Sequence, residues 1–188
     1  STLNYKVAIK NRRYDMNIMT KLGAAVLLTS LSTIAISADI KLTYGINLID
    51  FNGDGVKDIV VKSKRILNDA SSINMVTVYI KDADEQVYIV PSIYDNALSL
   101  FDNKAENSDI KISNFKFIEK KNQVILVSGE KIGNDMLQST PIRFSSYTIT
   151  KQDKQYKWAF SAYCVTNSTY LNVDDAFVDP CINKLIRD

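Results

Sequence analysis

Residues 46–61 read INLIDFNGDGVKDIVV, a pattern in which two apolar runs flank a short acidic segment. We call the segment from Asp50 to Asp58 the acidic loop. Gly53 and Gly55 allow backbone conformations that other residues resist, so the chain can turn sharply here. The pattern therefore predicts a β-hairpin whose two strands flank the acidic loop.

The acidic loop carries side-chain oxygen atoms at nearly alternate positions. Such hard ligands on a flexible loop suit Ca²⁺, which takes roughly 6–8 oxygen atoms. The alternative is a well-made turn without a metal, since Asn-Gly and Asp-Gly pairs favour tight turns on their own. We expect no other cofactor and no catalytic residue. The predicted calcium ligands are the side chains of Asp50, Asn52, Asp54 and Asp58 and the backbone carbonyl of Val56.

The loop is not an EF-hand, because that motif has a bidentate Glu at its twelfth position and Val61 stands there. The spacing DxNxDGxxD is similar to the calcium loops of FG-GAP and integrin-type β repeats. A propeller of such repeats needs several copies of its blade, and this chain has one acidic loop of this type. A propeller is therefore not expected.

The N-terminal part has the features of a secretory signal. Basic residues precede the apolar segment 22–36, and the small residues Ser37 and Ala38 close it. This segment is shorter than the roughly 20 residues that a membrane-spanning helix needs. We predict that residues 1–38 are an upstream extension and a signal peptide, with cleavage after Ala38. The protein would then be periplasmic and free of the membrane; an uncleaved N-terminal anchor is the alternative.

Residues 39–188 have the length of a single globular domain. Five of the 23 Lys and Arg residues and one of the 21 Asp and Glu residues precede this part, so its net charge is −2. A nucleic-acid partner is not expected, because it would require a basic patch. The sequence has no His. This absence excludes Ser-His-Asp and Cys-His hydrolysis as well as His-ligated zinc.

Both cysteines, Cys164 and Cys181, lie in the predicted exported part. An even number of cysteines in an exported chain predicts a disulfide, which would clamp the C-terminal tail onto the last strand. Two buried thiols are the alternative.

Alternating apolar residues predict a mainly antiparallel β structure. The segment 123–129 is almost wholly apolar, which predicts a central strand, and 92–108 is either a short helix or a surface loop. Helical spacing after Val173 predicts a short C-terminal helix. The predicted fold class is α+β, a mainly antiparallel meander or sandwich with this helix. The predicted strands are 39–49, 57–66, 73–81, 86–90, 110–119, 123–129, 141–150 and 156–166.

The acidic loop and the residues after it resemble the CarG-like family of carbapenem intrinsic-resistance, or self-immunity, proteins. The resemblance extends through Val76-Thr77-Val78-Tyr79 and through the closing segment 171–177, which reads LNVDDAF. It implies a periplasmic protective protein that does not hydrolyse the antibiotic.

We expect a non-enzymatic, periplasmic binding or immunity-type protein, acting in carbapenem self-resistance or toxin immunity. Its partner would be a protein or a small molecule; the sequence leaves its oligomeric state open. One alternative is a calcium-dependent adhesion or protein-interaction module that uses the aromatic strand 156–166. Another is a hydrolase that uses carboxylates only. Further carboxylates lie in predicted turns or at the start of the predicted helix, and we interpret them as solubilising or capping groups: Asp82, Asp84, Glu85, Asp174, Asp175 and Asp179.

Overall fold

A computed structural model describes residues 38–68, 71–94, 97–106 and 108–186. The predicted extension and signal segment therefore lie outside the described residues, apart from Ala38, which begins the first strand. No helix in the described ranges is long and apolar enough to cross a membrane.

The strands of the described residues form two antiparallel sheets, and two short helices follow the last strand. This architecture confirms the predicted fold class. Sheet I contains β1 (Ala38–Ile40), β7 (Asn103–Lys104), β8 (Lys111–Lys120), β9 (Gln123–Lys131), β10 (Ile142–Gln152) and β11 (Gln155–Val165). Sheet II contains β2 (Gly45–Ile49), β3 (Asp58–Asn68), β4 (Ser71–Lys81), β5 (Val87–Val90) and β6 (Leu100–Phe101). The helices are α1 (Val173–Ala176) and α2 (Ile182–Ile186).

Sheet II is a meander in the order β2-β3-β4-β5, and β6 also pairs with β4. Ile49 of β2 pairs with Asp58 of β3. The two strands thus close around the acidic loop and confirm the predicted hairpin.

The predicted strand 39–49 is wrong as a single element. β1 ends at Ile40 in sheet I, and β2 begins at Gly45 in sheet II, so the chain changes sheets between them. Gly45 has a φ of +92°, a conformation that favours glycine. The regular alternation of Ile40, Leu42 and Tyr44 concealed this break.

The described residues of the segment 92–108 form neither a helix nor a plain loop, because they include the short strands β6 and β7. The chain crosses back from sheet II to sheet I at Asp102, which is buried. The Asp102 carboxylate accepts hydrogen bonds from the backbone amide of Asn74, at 2.8 Å, and from its side-chain amide, at 2.9 Å. These bonds fix the crossing to β4.

Strand β9 lies in the middle of sheet I, as predicted, and is buried on both faces. Val124 and Leu126 face sheet II, in a core that includes Phe51. Ile125 and Val127 face the C-terminal tail. Burial of both faces explains why apolar residues follow one another here without alternation.

The C-terminal tail covers the second face of sheet I, where Val173, Ala176 and Leu185 are buried. Cys164 on β11 and Cys181 before α2 form the predicted disulfide, with Cα atoms 5.9 Å apart. By closing a loop between residues 17 apart, the bridge stabilises the fold by roughly 3 kcal/mol.

Candidate functional site

The acidic loop is closed by hydrogen bonds from its own backbone. The Asp50 carboxylate accepts one from the amide of Gly53, at 2.7 Å, and one from the amide of Gly55, at 2.8 Å. Both glycines have positive φ values, +77° and +86°. Their conformation lets the chain wrap around a single carboxylate.

Asn52 and Asp54 brace the exposed side of the loop. The Asn52 side-chain amide donates a hydrogen bond to Asp54 Oδ2 at 2.7 Å, and the Val56 amide donates to Asp54 Oδ1 at 2.7 Å. The backbone amide of Asp54 donates a hydrogen bond of 3.2 Å to Asn52 Oδ1. These are local turn contacts of the kind that Asn and Asp make in loops.

Asp58 is fully buried beneath the loop. Its Oδ2 accepts a hydrogen bond of 2.8 Å from the Phe51 amide, and its Oδ1 accepts one of 2.9 Å from the Lys81 amide. Burial raises the pKa of this carboxyl, the two amide donors oppose the shift, and the charges of nearby Asp54 and Asp50 add to it. Asp58 thus ties the loop to the end of β4.

Of the predicted calcium ligands, Asp50, Asn52 and Asp54 lie together on the loop. The backbone amide of Val56 donates a hydrogen bond to the Asp54 carboxylate. The Asp58 carboxylate instead lies underneath and contacts backbone amides. In the part of the chain that the structure describes, no three acidic or cysteine side chains are grouped as a metal-ligand set. The hydrogen bonds are those of the turn alternative, and the calcium site stays a prediction.

Phe51 anchors the loop in the core between the sheets. Its ring lies 5.0 Å from that of Phe117 and 6.2 Å from that of Trp158, measured between centroids. Gly53 lies against the β8–β9 turn so closely that an added Cβ would stand 2.2 Å from the backbone oxygen of Asn122. Aromatic packing and this close approach hold the loop against sheet I.

A cleft of about 550 Å³ opens between the acidic loop and the β8–β9 turn. We call it the loop cleft. Its charged lining residues are two acids and two bases: Asp50, Glu119, Lys57 and Lys121. The cleft therefore has no excess of charge of either sign.

A second cavity, of about 380 Å³, opens between the sheets where the chain crosses from one to the other. We call it the crossover cavity. Its apolar lining residues, which belong to or pack against the core, are Ile40, Leu42, Val76, Phe115 and Phe117. Its polar lining residues are Lys41, Lys62, Lys111, Lys116, Asp39, Asp102, Asn74 and Asn114.

The crossover cavity was not predicted from the sequence. One signal was present: Lys62 stands two residues after Val60 and so shares its inward face on β3. A lysine at an inward position of an apolar strand indicates a local opening in the core.

Two of the other carboxylates, Asp82 and Asp179, make structural contacts. Asp82 pairs with Lys151, which lowers the pKa of Asp82. Asp179 is buried and accepts hydrogen bonds from the Tyr170 hydroxyl, at 2.8 Å, and the Cys181 amide, at 2.9 Å. The Cys181 amide bond is a capping contact, as interpreted, whereas the burial of Asp179 is not that of a solubilising group.

The fold and the site define an antiparallel two-sheet protein with an acidic loop on one hairpin and a disulfide-linked tail. The chain belongs to the family described as "Carbapenem resistance protein CarG-like", which it matches over residues 42–179. The predicted family is thereby confirmed. The crystal structure of CarG is similar, with a TM-score of 0.71 and 22% sequence identity, covering 76% of this chain and 96% of that chain. Among proteins with curated descriptions, none matches this chain.

Proposed function

We propose that the protein protects a cell against a carbapenem by binding in the periplasm, without hydrolysing the drug. The observation that carries this proposal is the family match over residues 42–179, a range that includes the acidic loop and α1. The description of that family names carbapenem resistance. The similarity to the CarG structure supports a shared fold.

A binding role, as opposed to turnover, is supported by the chemistry of the side chains. The sequence has no His, the commonest general base. The buried carboxylate Asp58 is occupied by two backbone amides, and Asp82 is paired with a lysine. Both carboxyls, Asp58 and Asp82, therefore have structural partners and are not free for acid–base catalysis.

Export to the periplasm is supported by the disulfide between Cys164 and Cys181, because such bonds persist in oxidising compartments. The predicted signal in residues 16–38 points to the same compartment. After osmotic shock of expressing cells, we expect the protein in the periplasmic fraction with a new N-terminus after Ala38.

The test is growth of a carbapenem-sensitive strain that expresses the protein, with the drug in the medium assayed by mass spectrometry. Protection with undiminished drug is the expected result. Loss of the drug in step with protection would refute the non-hydrolytic role. Protein retained in the cytoplasm would refute the periplasmic one.

A second candidate is a calcium-dependent adhesion or protein-interaction module. It is favoured by the exposed aromatic side chains of β11, Phe160 and Tyr163, whose exposed fractions are 58% and 64%. Exposed aromatic residues are enriched at interfaces with proteins. The test is a pull-down of periplasmic proteins with the wild-type chain and with the double variant Phe160→Ser/Tyr163→Ser. If the wild-type chain recovers the same partner proteins in calcium and in chelator, this candidate is refuted.

A further inference from the structure

The crossover cavity joins basic and apolar side chains in one small space. Four lysines and two aspartates belong to its polar lining, and Asp174 pairs with one of these lysines, so a small excess of positive charge remains. Its apolar lining includes two aromatic residues, Phe115 and Phe117. We propose that this cavity binds a small organic carboxylate of the bicyclic β-lactam type, an inference that rests on the binding function proposed above.

Lys62 supplies the positive charge that a ligand carboxylate would meet. Its amine donates a hydrogen bond of 3.2 Å to the backbone carbonyl of Leu42 and lies 4.9 Å from the centre of the Tyr44 ring. It forms no ion pair with any carboxylate of the described residues. The Leu42 carbonyl and the Tyr44 ring position the Lys62 amine without neutralising its positive charge. That charge can therefore pair with the carboxylate of a ligand.

Two other lysines of the cavity are already neutralised. Lys111 lies between two carboxylates, 3.3 Å from Asp102 and 2.9 Å from Asp174. Lys116 lies 2.9 Å from Asp39. These pairs build the wall of the cavity. The remaining lining lysine, Lys41, is exposed and adds a second positive charge.

The size of the cavity fits a compact ligand. Its volume of about 380 Å³ lies near the lower end of the roughly 300–1,000 Å³ usual for small-molecule sites. A fused bicyclic ring would pack against Phe115 and Phe117 while its carboxylate met Lys62. A charge-assisted hydrogen bond in a partly enclosed site is stronger than one in open water.

The experiment is calorimetric titration of the purified protein with a carbapenem and with the methyl ester of the same compound. The ester lacks the negative charge, so it should bind less tightly. Lys62→Met should weaken binding of the acid about tenfold, and Lys41→Glu should also weaken it. Lys157→Met removes a charge from an exposed position of β11 and is the matched control, with unchanged affinity expected. Thermal melting of each variant checks that it is folded.

Backbone amide shifts in NMR locate the ligand. Shifts at Lys62, Val76 and Phe115 on titration support the proposal. Shifts confined to Gly53 and Gly55 would place the ligand in the loop cleft and overturn it. Equal weakening by Lys62→Met and Lys157→Met would indicate unspecific attraction and overturn it too.

Absence of heat and of shifts at millimolar carbapenem would likewise overturn the crossover-cavity site. The growth assay separates that failure from a failure of the proposed function. Cells that are protected while the purified protein binds no drug would keep the protective role and remove only the site.

Discussion

Asp58 Oδ2 accepts a hydrogen bond of 2.8 Å from the backbone amide of Phe51, across the length of the acidic loop. Phe51 is itself buried, with 1% of its surface exposed, in the core between the sheets. The Asp58 side chain, at the end of the acidic loop, therefore fixes Phe51 near the start of the loop. This contact helps to set the position of the whole loop.

We expect Asp58→Asn to lower the free energy of unfolding by about 2 kcal/mol. The amide keeps one acceptor oxygen but turns its NH₂ group toward a backbone donor, so one buried hydrogen bond is lost. Urea denaturation at neutral pH measures this. Asp84→Asn, an exposed carboxylate in the β4–β5 turn, is the control and should leave stability unchanged. Similar losses in the two variants would disprove the special role of Asp58.

The contribution of Asp58 should depend on pH. Because its pKa is raised above the ordinary 3.8, the folded protein holds this proton more tightly than the unfolded chain does. Its contribution to stability should therefore fall as pH rises from about 3.8 through the raised pKa. The difference in unfolding free energy between the wild type and Asp58→Asn, followed from acid to neutral pH, should shrink. A difference that grows with pH would mean that the pKa is lowered in the folded protein.

The two loop glycines should respond differently to a methyl group. Both have positive φ, so Gly53→Ala and Gly55→Ala each introduce backbone strain of roughly 1 kcal/mol. A Cβ at Gly53 would also stand 2.2 Å from the Asn122 backbone oxygen, whereas a Cβ at Gly55 meets open space. We expect Gly53→Ala to cost about 1–3 kcal/mol more than Gly55→Ala in chemical denaturation. Equal costs would show that the loop is not docked on the β8–β9 turn.

Lys131 should stabilise the connection between β9 and β10. Its buried amine donates to the backbone carbonyls of Met136, at 2.8 Å, of Gln138, at 2.6 Å, and of Leu171, at 2.9 Å. Lys131→Met keeps the alkyl stem but leaves these carbonyls without their donor, so we expect a loss of about 2–3 kcal/mol. The exposed Lys157→Met serves as the comparison. If both variants melt at the wild-type temperature, the three contacts contribute nothing measurable.

The calcium prediction is tested by melting the protein in calcium and in chelator. If the acidic loop binds Ca²⁺, the ion should raise the melting temperature by mass action. Asp54→Ala should abolish that rise, whereas Asp84→Ala should preserve it. A wild type that melts at one temperature in both conditions would leave the metal-free turn as the role of the loop.

Local chemistry explains which features the sequence predicted correctly. The hairpin around the acidic loop follows from turn residues between two apolar runs, and β9 follows from its unbroken apolar stretch. The Cys164–Cys181 bridge follows from the count of cysteines in a chain expected to be exported. Each of these rests on neighbouring residues or on composition.

Features that depend on distant residues escaped prediction. The change of sheet before Gly45 lies inside an apolar alternation that fits one continuous strand as well as two. The inward role of Asp58 depends on Lys81, which a sequence pattern does not bring near it. The crossover cavity likewise depends on β1, β3, β4 and β8 meeting in space.

The most direct test asks whether the protein binds a carbapenem without consuming it. The pure, oxidised protein is incubated with a tenfold molar excess of the drug, and the drug is then quantified by mass spectrometry. We expect the recovered drug to equal the amount added once the protein is denatured and its ligand released. Disappearance of several equivalents of drug per protein molecule would show turnover and would refute a purely protective binding role.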